Sequence, residues 1–165
     1  LYDRRGKGAT IMLVGSFMIV AVHLLFAVPA FTNWLLALVL IITLGIVFSL
    51  VPSAMWPSVP KIIPENKLGT AYALIFWIQN WGLMGVPYLI GKVLDNYCVV
   101  DNATTVAEEI TGVVAPETVT RVAYDYTVPM LIFAGLGVLS ILFAFLLLRE
   151  NKKMGYGLQQ PNIRK

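Results

Sequence analysis

Charge is what this chain has least of. Asp, Glu, Lys and Arg make up 13% of its 165 residues, where a soluble domain of this size carries roughly a quarter. None of these charges lies in the central part of a long apolar run. That excludes, within this stretch, the intramembrane carboxylates and cations that mark proton relays and ion sites. Histidine and cysteine occur once each. With Cys98 alone no intrachain disulfide can form, and the redox compartment stays open. One His, one Cys and no buried carboxylate cannot assemble an acid–base set or a ligand sphere at depth. No catalytic residue, metal or cofactor is therefore expected, and the chain is not read as an enzyme. A cleavable signal peptide is not expected either, since the first apolar run lacks an Ala-x-Ala exit.

What the chain has is apolar surface. It is 58% hydrophobic, with a mean hydropathy of +0.78. Four runs stand out, Ala9–Val28, Trp34–Trp56, Leu68–Leu94 and Thr127–Leu148. Each is at least as long as the roughly 20 residues, at about 1.5 Å rise each, that cross a hydrocarbon core of about 30 Å. Four successive helices apolar on every side leave no face for water. The expectation is an all-α, polytopic membrane protein with four transmembrane helices, partnered by the lipid bilayer.

Basic residues orient the bundle. Of twelve Lys and Arg, all but Lys92 and Arg121 fall before the first run, between the second and third, or after the fourth. Cytoplasmic segments next to spans collect Lys and Arg, so both ends of the chain are expected in the cytoplasm. The acids sort the same way. Asp3, Glu65 and Glu150 lie inside, and Asp95, Asp101, Glu108, Glu109, Glu117 and Asp125 lie in one outside loop, 95–126. The net charge of +3 is thus topological and gives no reason to invoke nucleic acid. Because the chain opens at Leu1 directly in a basic membrane-edge loop, it is expected to be a piece cut from a longer protein.

The outside loop is long for a helix connection. Thr104–Val114 could form a short amphipathic helix, and Asn102-Ala103-Thr104 has the pattern of a glycosylation acceptor. Pro116-Glu117 suits a helix first turn, so the fourth helix is expected to begin outside the membrane and to bend at Pro129. The cytoplasmic tail covers 149–165.

Candidate functional positions concentrate in the second and third runs. At 100° per residue Gly69, Tyr72, Phe76, Gln79, Asn80, Leu83 and Pro87 share one stripe, opposite Trp77 and Trp81. The amides of Gln79 and Asn80 need a partner or water at mid-depth. Two readings stand side by side: interhelical glue, or the wall of a water-filled cavity that binds a polar solute. In the second run Gly45, Ser49, Pro52, Ser53, Trp56 and Pro60 fall in another stripe. Pro52, Pro57 and Pro60 remove helix bonds at its cytoplasmic end, which should bend or unwind, as Pro87 should bend the third. Gly82, Gly85, Gly91, Gly135 and Gly137 are read chiefly as sites of close helix packing. His23 is read as hydrogen-bonded or interfacial.

Asp3-Arg4-Arg5-Gly6-Lys7 resembles the loop signature of the major facilitator superfamily, which recurs between the second and third helices of each six-helix half. Leu68-Gly69-Thr70-Ala71-Tyr72, Ile78-Gln79-Asn80-Trp81-Gly82-Leu83 and Met55-Trp56-Pro57-Ser58-Val59-Pro60 are similar to the branch holding lysosomal dipeptide transporters and their bacterial relatives. The resemblance implies helices nine to twelve of a twelve-helix transporter, part of its C-terminal half, with the earlier helices of the same protein as partners. It implies a secondary transporter moving a small polar organic solute, peptide-like or amino-acid-like, by alternating access. Ser53, Trp56, Tyr72, Phe76, Gln79 and Asn80 would line the substrate cavity. Asp3, Arg4, Arg5, Gly6 and Lys7 would form a cytoplasmic gate, with Asp3 facing a helix N-terminus. Pro52, Pro57, Pro60 and Pro87 would bend the helices. The second and third spans would line the cavity and the first and fourth would pack peripherally. The tail, unlike a lysosomal sorting tail, favours a bacterial inner membrane, with a lysosomal or other organelle membrane second. A four-span scaffold or assembly protein without transport activity is the alternative.

Overall fold

The computed structural model describes residues 6–28, 33–100 and 123–161. Four helices in it are long and apolar enough to cross a membrane, as the composition requires. They are α1 (Gly8–Phe26), α2 (Trp34–Met55), α4 (Leu68–Tyr97) and α5 (Thr127–Met154). A short helix α3 (Val59–Ile62) follows α2 through a 3₁₀ turn at Trp56–Ser58, and a second 3₁₀ turn at Glu65–Lys67 leads into α4. The fold is all-α and polytopic.

Packing centres on α1, which lies between α5 and α2. Lipid supplies no hydrophobic drive between helices, so close approach of small residues decides where they touch. A Cβ placed on Gly137 of α5 would stand 2.7 Å from Val20 Cγ2 of α1, and one on Gly15 of α1 would stand 2.7 Å from Val51 Cγ2 of α2. Buried Ala134, Gly137, Ala144 and Asn151 run down one face of α5, and buried Leu40, Val47 and Ala54 repeat every seventh residue along α2. Between α1 and α5 the hydroxyls of Ser16 and Ser140 meet at 2.8 Å, and Ser16 also donates to Met12 O at 2.9 Å.

By contrast, α4 has no buried residue and touches α5 and α3 only sparingly. Among the described residues Gly82, Gly85 and Gly91 supply no packing: a Cβ on any of them would meet nothing within 4 Å. Gly135 is equally open, while Gly137 is the packing glycine it was expected to be.

The start of α5 departs from the expectation for Pro116 and Pro129. Residues 101–122, which include the proposed amphipathic helix and Asn102, lie outside the described residues. On either side of them β1 (Val99–Val100) pairs antiparallel with β2 (Ala123–Tyr124), so residues 123–124 are strand where a helix from Pro116 would have continued. The helix begins at Thr127, whose N–H donates to the Asp125 carboxylate at 2.9 Å. Hydrogen bonds from Thr127, first from its side chain and then from this backbone N–H, hold the Asp125 pKa below its ordinary value. Pro129 then occupies the first turn, where its missing N–H costs no helical bond, and no bend is needed. The Asp125 N–H donates to Cys98 O at 2.8 Å and the Tyr124 hydroxyl to Asp95 Oδ1 at 3.4 Å, tying this junction to the end of α4.

At the opposite end α5 runs six residues beyond its apolar stretch and stops at Gly155, in the left-handed conformation at φ 70°. The chain then folds back. Leu158 becomes fully buried, and its N–H donates to Asn151 Oδ1 at 3.0 Å. No side chain caps α1; instead Leu158 O and Gln159 O accept from the N–H groups of Gly8 and Lys7 at 3.0 and 3.1 Å. Gln159 and Thr10 add side-chain hydrogen bonds at 2.9 and 3.2 Å. Lys61 of α3 donates to Gly157 O and Gln160 O at 3.3 and 2.9 Å.

Candidate functional site

Three prolines shape the end of α2. A proline N has no hydrogen, so Pro52, Pro57 and Pro60 leave the carbonyls of Phe48, Ser53 and Trp56, each four residues earlier, without an α-helical donor. The backbone answers by tightening into the 3₁₀ turn at Trp56–Ser58. Pro52 itself lies inside α2. Hydroxyls crowd this segment. Ser58 donates to Ala54 O at 2.6 Å, Ser53 to Leu50 O at 2.8 Å, and the Tyr72 hydroxyl of α4 lies 3.5 Å from Trp56 O.

The same turn turns the Trp56 indole toward α4. Its ring stacks on Phe76 with centroids 5.0 Å apart and planes at 29°, and meets Tyr72 at 5.7 Å and 39°. These are the offset arrangements that aromatic quadrupoles favour. Tyr72 and Phe76 are one helical turn apart, so a single face of α4 is pinned against the proline-broken end of α2.

Gln79 and Asn80 continue that face, about 10 Å of helix beyond Tyr72. Both are exposed. Asn80 Nδ2 donates back to Phe76 O at 2.8 Å, while Gln79 makes no hydrogen bond among the described residues. Of the six expected cavity residues the structure thus brings Trp56, Tyr72 and Phe76 together. Ser53 turns its hydroxyl onto its own helix, and the two amides stand on an open face of α4. Among the described residues no other helix reaches them. Pro87 lies within α4 on the exposed surface.

Of the loop signature, Asp3, Arg4 and Arg5 lie outside the described residues. Gly6 and Lys7 both adopt positive φ, 67° and 60°. A Cβ on Gly6 would stand 2.5 Å from Gln159 O, so this position must be glycine for the tail to pass over it. His23 is the hydrogen-bonded residue expected. Its Nδ1 is 2.8 Å from Ile19 O and its ring lies 5.4 Å from Phe133. Among the described residues no cluster of His, Cys, Asp and Glu could hold a metal ion. Sequence reading missed the Ser16–Ser140 bridge and the tail's return. Small residues at helical spacing around Ser16 were the available signal for the first. Nothing local signalled the second, because its partners lie some 150 positions away.

No protein-family model and no solved structure matches the chain. Curated relatives do. The lysosomal dipeptide transporter MFSD1 of Bos taurus is 34% identical over 95 residues, 58% of this chain and 19% of that protein. Its Gallus gallus counterpart is 34% identical over 58% of this chain and 21% of its own length. The Homo sapiens protein is 32% identical over 96 residues, 58% and 20% respectively. The match thus covers about a fifth of the length of these relatives. Their names place these relatives in lysosomes, and none points to the bacterial membrane expected from the tail. Together with the four membrane-length helices, this likeness makes the chain an integral, multi-pass membrane protein similar to a piece of a major facilitator superfamily transporter.

Proposed function

We propose that the chain is helices nine to twelve of a secondary transporter that moves a small, dipeptide-like solute by alternating access. The observation that carries this reading is the face of α4 bearing Tyr72, Phe76, Gln79 and Asn80. At one end it is locked onto Trp56, and beyond that it presents unpacked amides at membrane depth. An amide that met hydrocarbon alone would carry a desolvation cost of a few kcal/mol, so this face belongs against water and solute. A dipeptide offers peptide N–H and C=O groups and a carboxylate, which an Asn and a Gln side chain can both donate to and accept from. Trp56 and Tyr72 act as the cytoplasmic wall of the cavity, with the prolines of α2 permitting the wall to move. Both ends of the chain face the cytoplasm, on the strength of its basic residues. In a four-span scaffold the same amides would lie against lipid, and this disfavours that reading.

Uptake of radiolabelled dipeptides into proteoliposomes holding the full-length protein tests the proposal. Asn80→Ala and Trp56→Ala should each lower uptake at unchanged membrane insertion. Wild-type uptake by both variants would remove these residues from the cavity, and the absence of dipeptide uptake by the wild type would remove the substrate class.

A further inference from the structure

The cytoplasmic ends of α1 and α5 and the returning tail enclose a slot of about 450 Å³. Thr10 and Leu13 of α1, Phe145, Leu148, Arg149 and Lys152 of α5, and Gln159 of the tail line it. Its chemistry changes with depth in the same sense on both helices. On α5 the two cations give way to Leu148 and Phe145, and Phe145 lies about 6 Å of helix deeper than Arg149. On α1 polar Thr10 gives way to Leu13, about 4.5 Å deeper. Arg149 directly follows the apolar run Thr127–Leu148, so the mouth of the slot lies at the level where hydrocarbon meets headgroups.

Among the described residues no carboxylate lines the slot. Among the described residues Arg149 and Lys152 make no ion pair or hydrogen bond, whereas Lys153, which faces away from it, lies 4.0 Å from Glu150. Two cations one turn apart, over an apolar cleft open to the membrane, complement a phosphodiester carrying acyl chains. Gln159, held by Thr10, offers an amide at the same mouth.

We infer that this slot binds an anionic phospholipid, its phosphate between Arg149 and Lys152 and one acyl chain along Leu13, Phe145 and Leu148. The bound lipid would fill the gap that the tail bridges, and so hold the tail, α1 and α5 as one unit. The site is independent of the solute cavity, which lies on α4.

Native mass spectrometry of the full-length protein, exchanged into micelles doped with either phosphatidylglycerol or phosphatidylcholine, tests the inference. Phosphatidylglycerol should stay bound at detergent concentrations that strip phosphatidylcholine. R149Q/K152Q should lower its retention roughly 30-fold, the effect of two charges at an anionic lipid surface. L13W, which fills the cleft without touching charge, should displace the lipid as well, and K153Q should not. Equal retention of the two lipids, or undiminished phosphatidylglycerol on R149Q/K152Q, overturns the site. Loss with R149Q/K152Q but not with L13W overturns the acyl slot and leaves only a basic surface. Displacement of the lipid by millimolar glycerol 3-phosphate overturns the lipid in favour of a soluble phosphate ligand.

Discussion

The Tyr72 hydroxyl of α4 lies 3.5 Å from the carbonyl oxygen of Trp56, the oxygen from which Pro60 removes the α-helical donor. This relationship joins the two helices whose stripes carry the candidate cavity residues, and it does so where the backbone of α2 is weakest. Its strength can be measured. Tyr72→Phe keeps the ring against Trp56 and removes the O–H, with an expected cost of about 1 kcal/mol or less at this distance. Pro60→Ala restores an N–H to the Trp56 carbonyl. In a double-mutant cycle of thermal stability Tyr72→Phe should therefore cost less in the Pro60→Ala background than in the wild type. Equal costs in the two backgrounds would show that the hydroxyl does not serve that carbonyl.

Glycines separate the packed face from the open one. Gly137→Ala forces a methyl to within 2.7 Å of Val20 Cγ2 and should destabilise the α1–α5 pair by about 1–3 kcal/mol. Gly82→Ala meets nothing in this chain and should stabilise α4 by about 0.5–1 kcal/mol through helix propensity. Thermal unfolding of the isolated chain in detergent checks both signs. Repeating Gly82→Ala in the full-length protein then reports whether another helix lies against that face, since a packed Gly82 would reverse the sign.

Ser16 and Ser140 should be coupled. Polar contacts between membrane helices average about 0.6 kcal/mol, and the Ser16→Ala/Ser140→Ala cycle should return a coupling of that order. Zero coupling would leave the small size of these residues, rather than their hydroxyls, as the reason they sit at the interface.

Tail docking depends on Gly6. Its φ of 67° and the 2.5 Å separation from Gln159 O leave no room for a methyl, so Gly6→Ala should release residues 155–161 from α1. Faster amide exchange at Leu158, or proteolysis within 155–161, would register the release. Leu158→Ala should act in the same direction by emptying a fully buried position.

Acid should loosen the start of α5. The Asp125 pKa is lowered from 3.8, first by its hydrogen bonds from Thr127. A depressed folded-state pKa contributes stability that is fully present above the unfolded value and is lost as pH falls through the folded value. The thermal-stability difference between wild type and Asp125→Ala should therefore be constant from neutral pH down to about 5 and shrink below about 4. A difference that persists undiminished at lower pH would show that the carboxylate charge is not what caps the helix.

How much of this could be read in advance differs between elements for physical reasons. The helices were legible because a bilayer imposes length and apolarity on each span separately, and a run such as Trp34–Trp56 carries both properties locally. The tightening into a 3₁₀ turn after Met55 was partly legible, since Pro57 and Pro60 remove α-helical donors wherever the rest of the chain lies. The stripe of Tyr72, Phe76, Gln79 and Asn80 followed from helical periodicity alone. The strand pair at 123–124 was not legible. Residues 123–124 become strand by pairing with Val99–Val100, a partner more than twenty positions away that no local pattern announces. Gly135 and Gly137 show the same limit. They are two residues apart with similar local surroundings, yet only Gly137 points at α1.

What the sequence determined by itself is therefore that four long apolar helices form and where prolines disturb their backbone, because these depend on the chemistry of consecutive residues. Which faces meet was decided by the tertiary structure. It turned Gly137 onto Val20 and Trp56 onto Phe76, folded Leu158 back beneath Gly6, and left α4 bare. Contact between helices in lipid rests on shape and a few hydrogen bonds between residues far apart in the chain, and no local pattern encodes them.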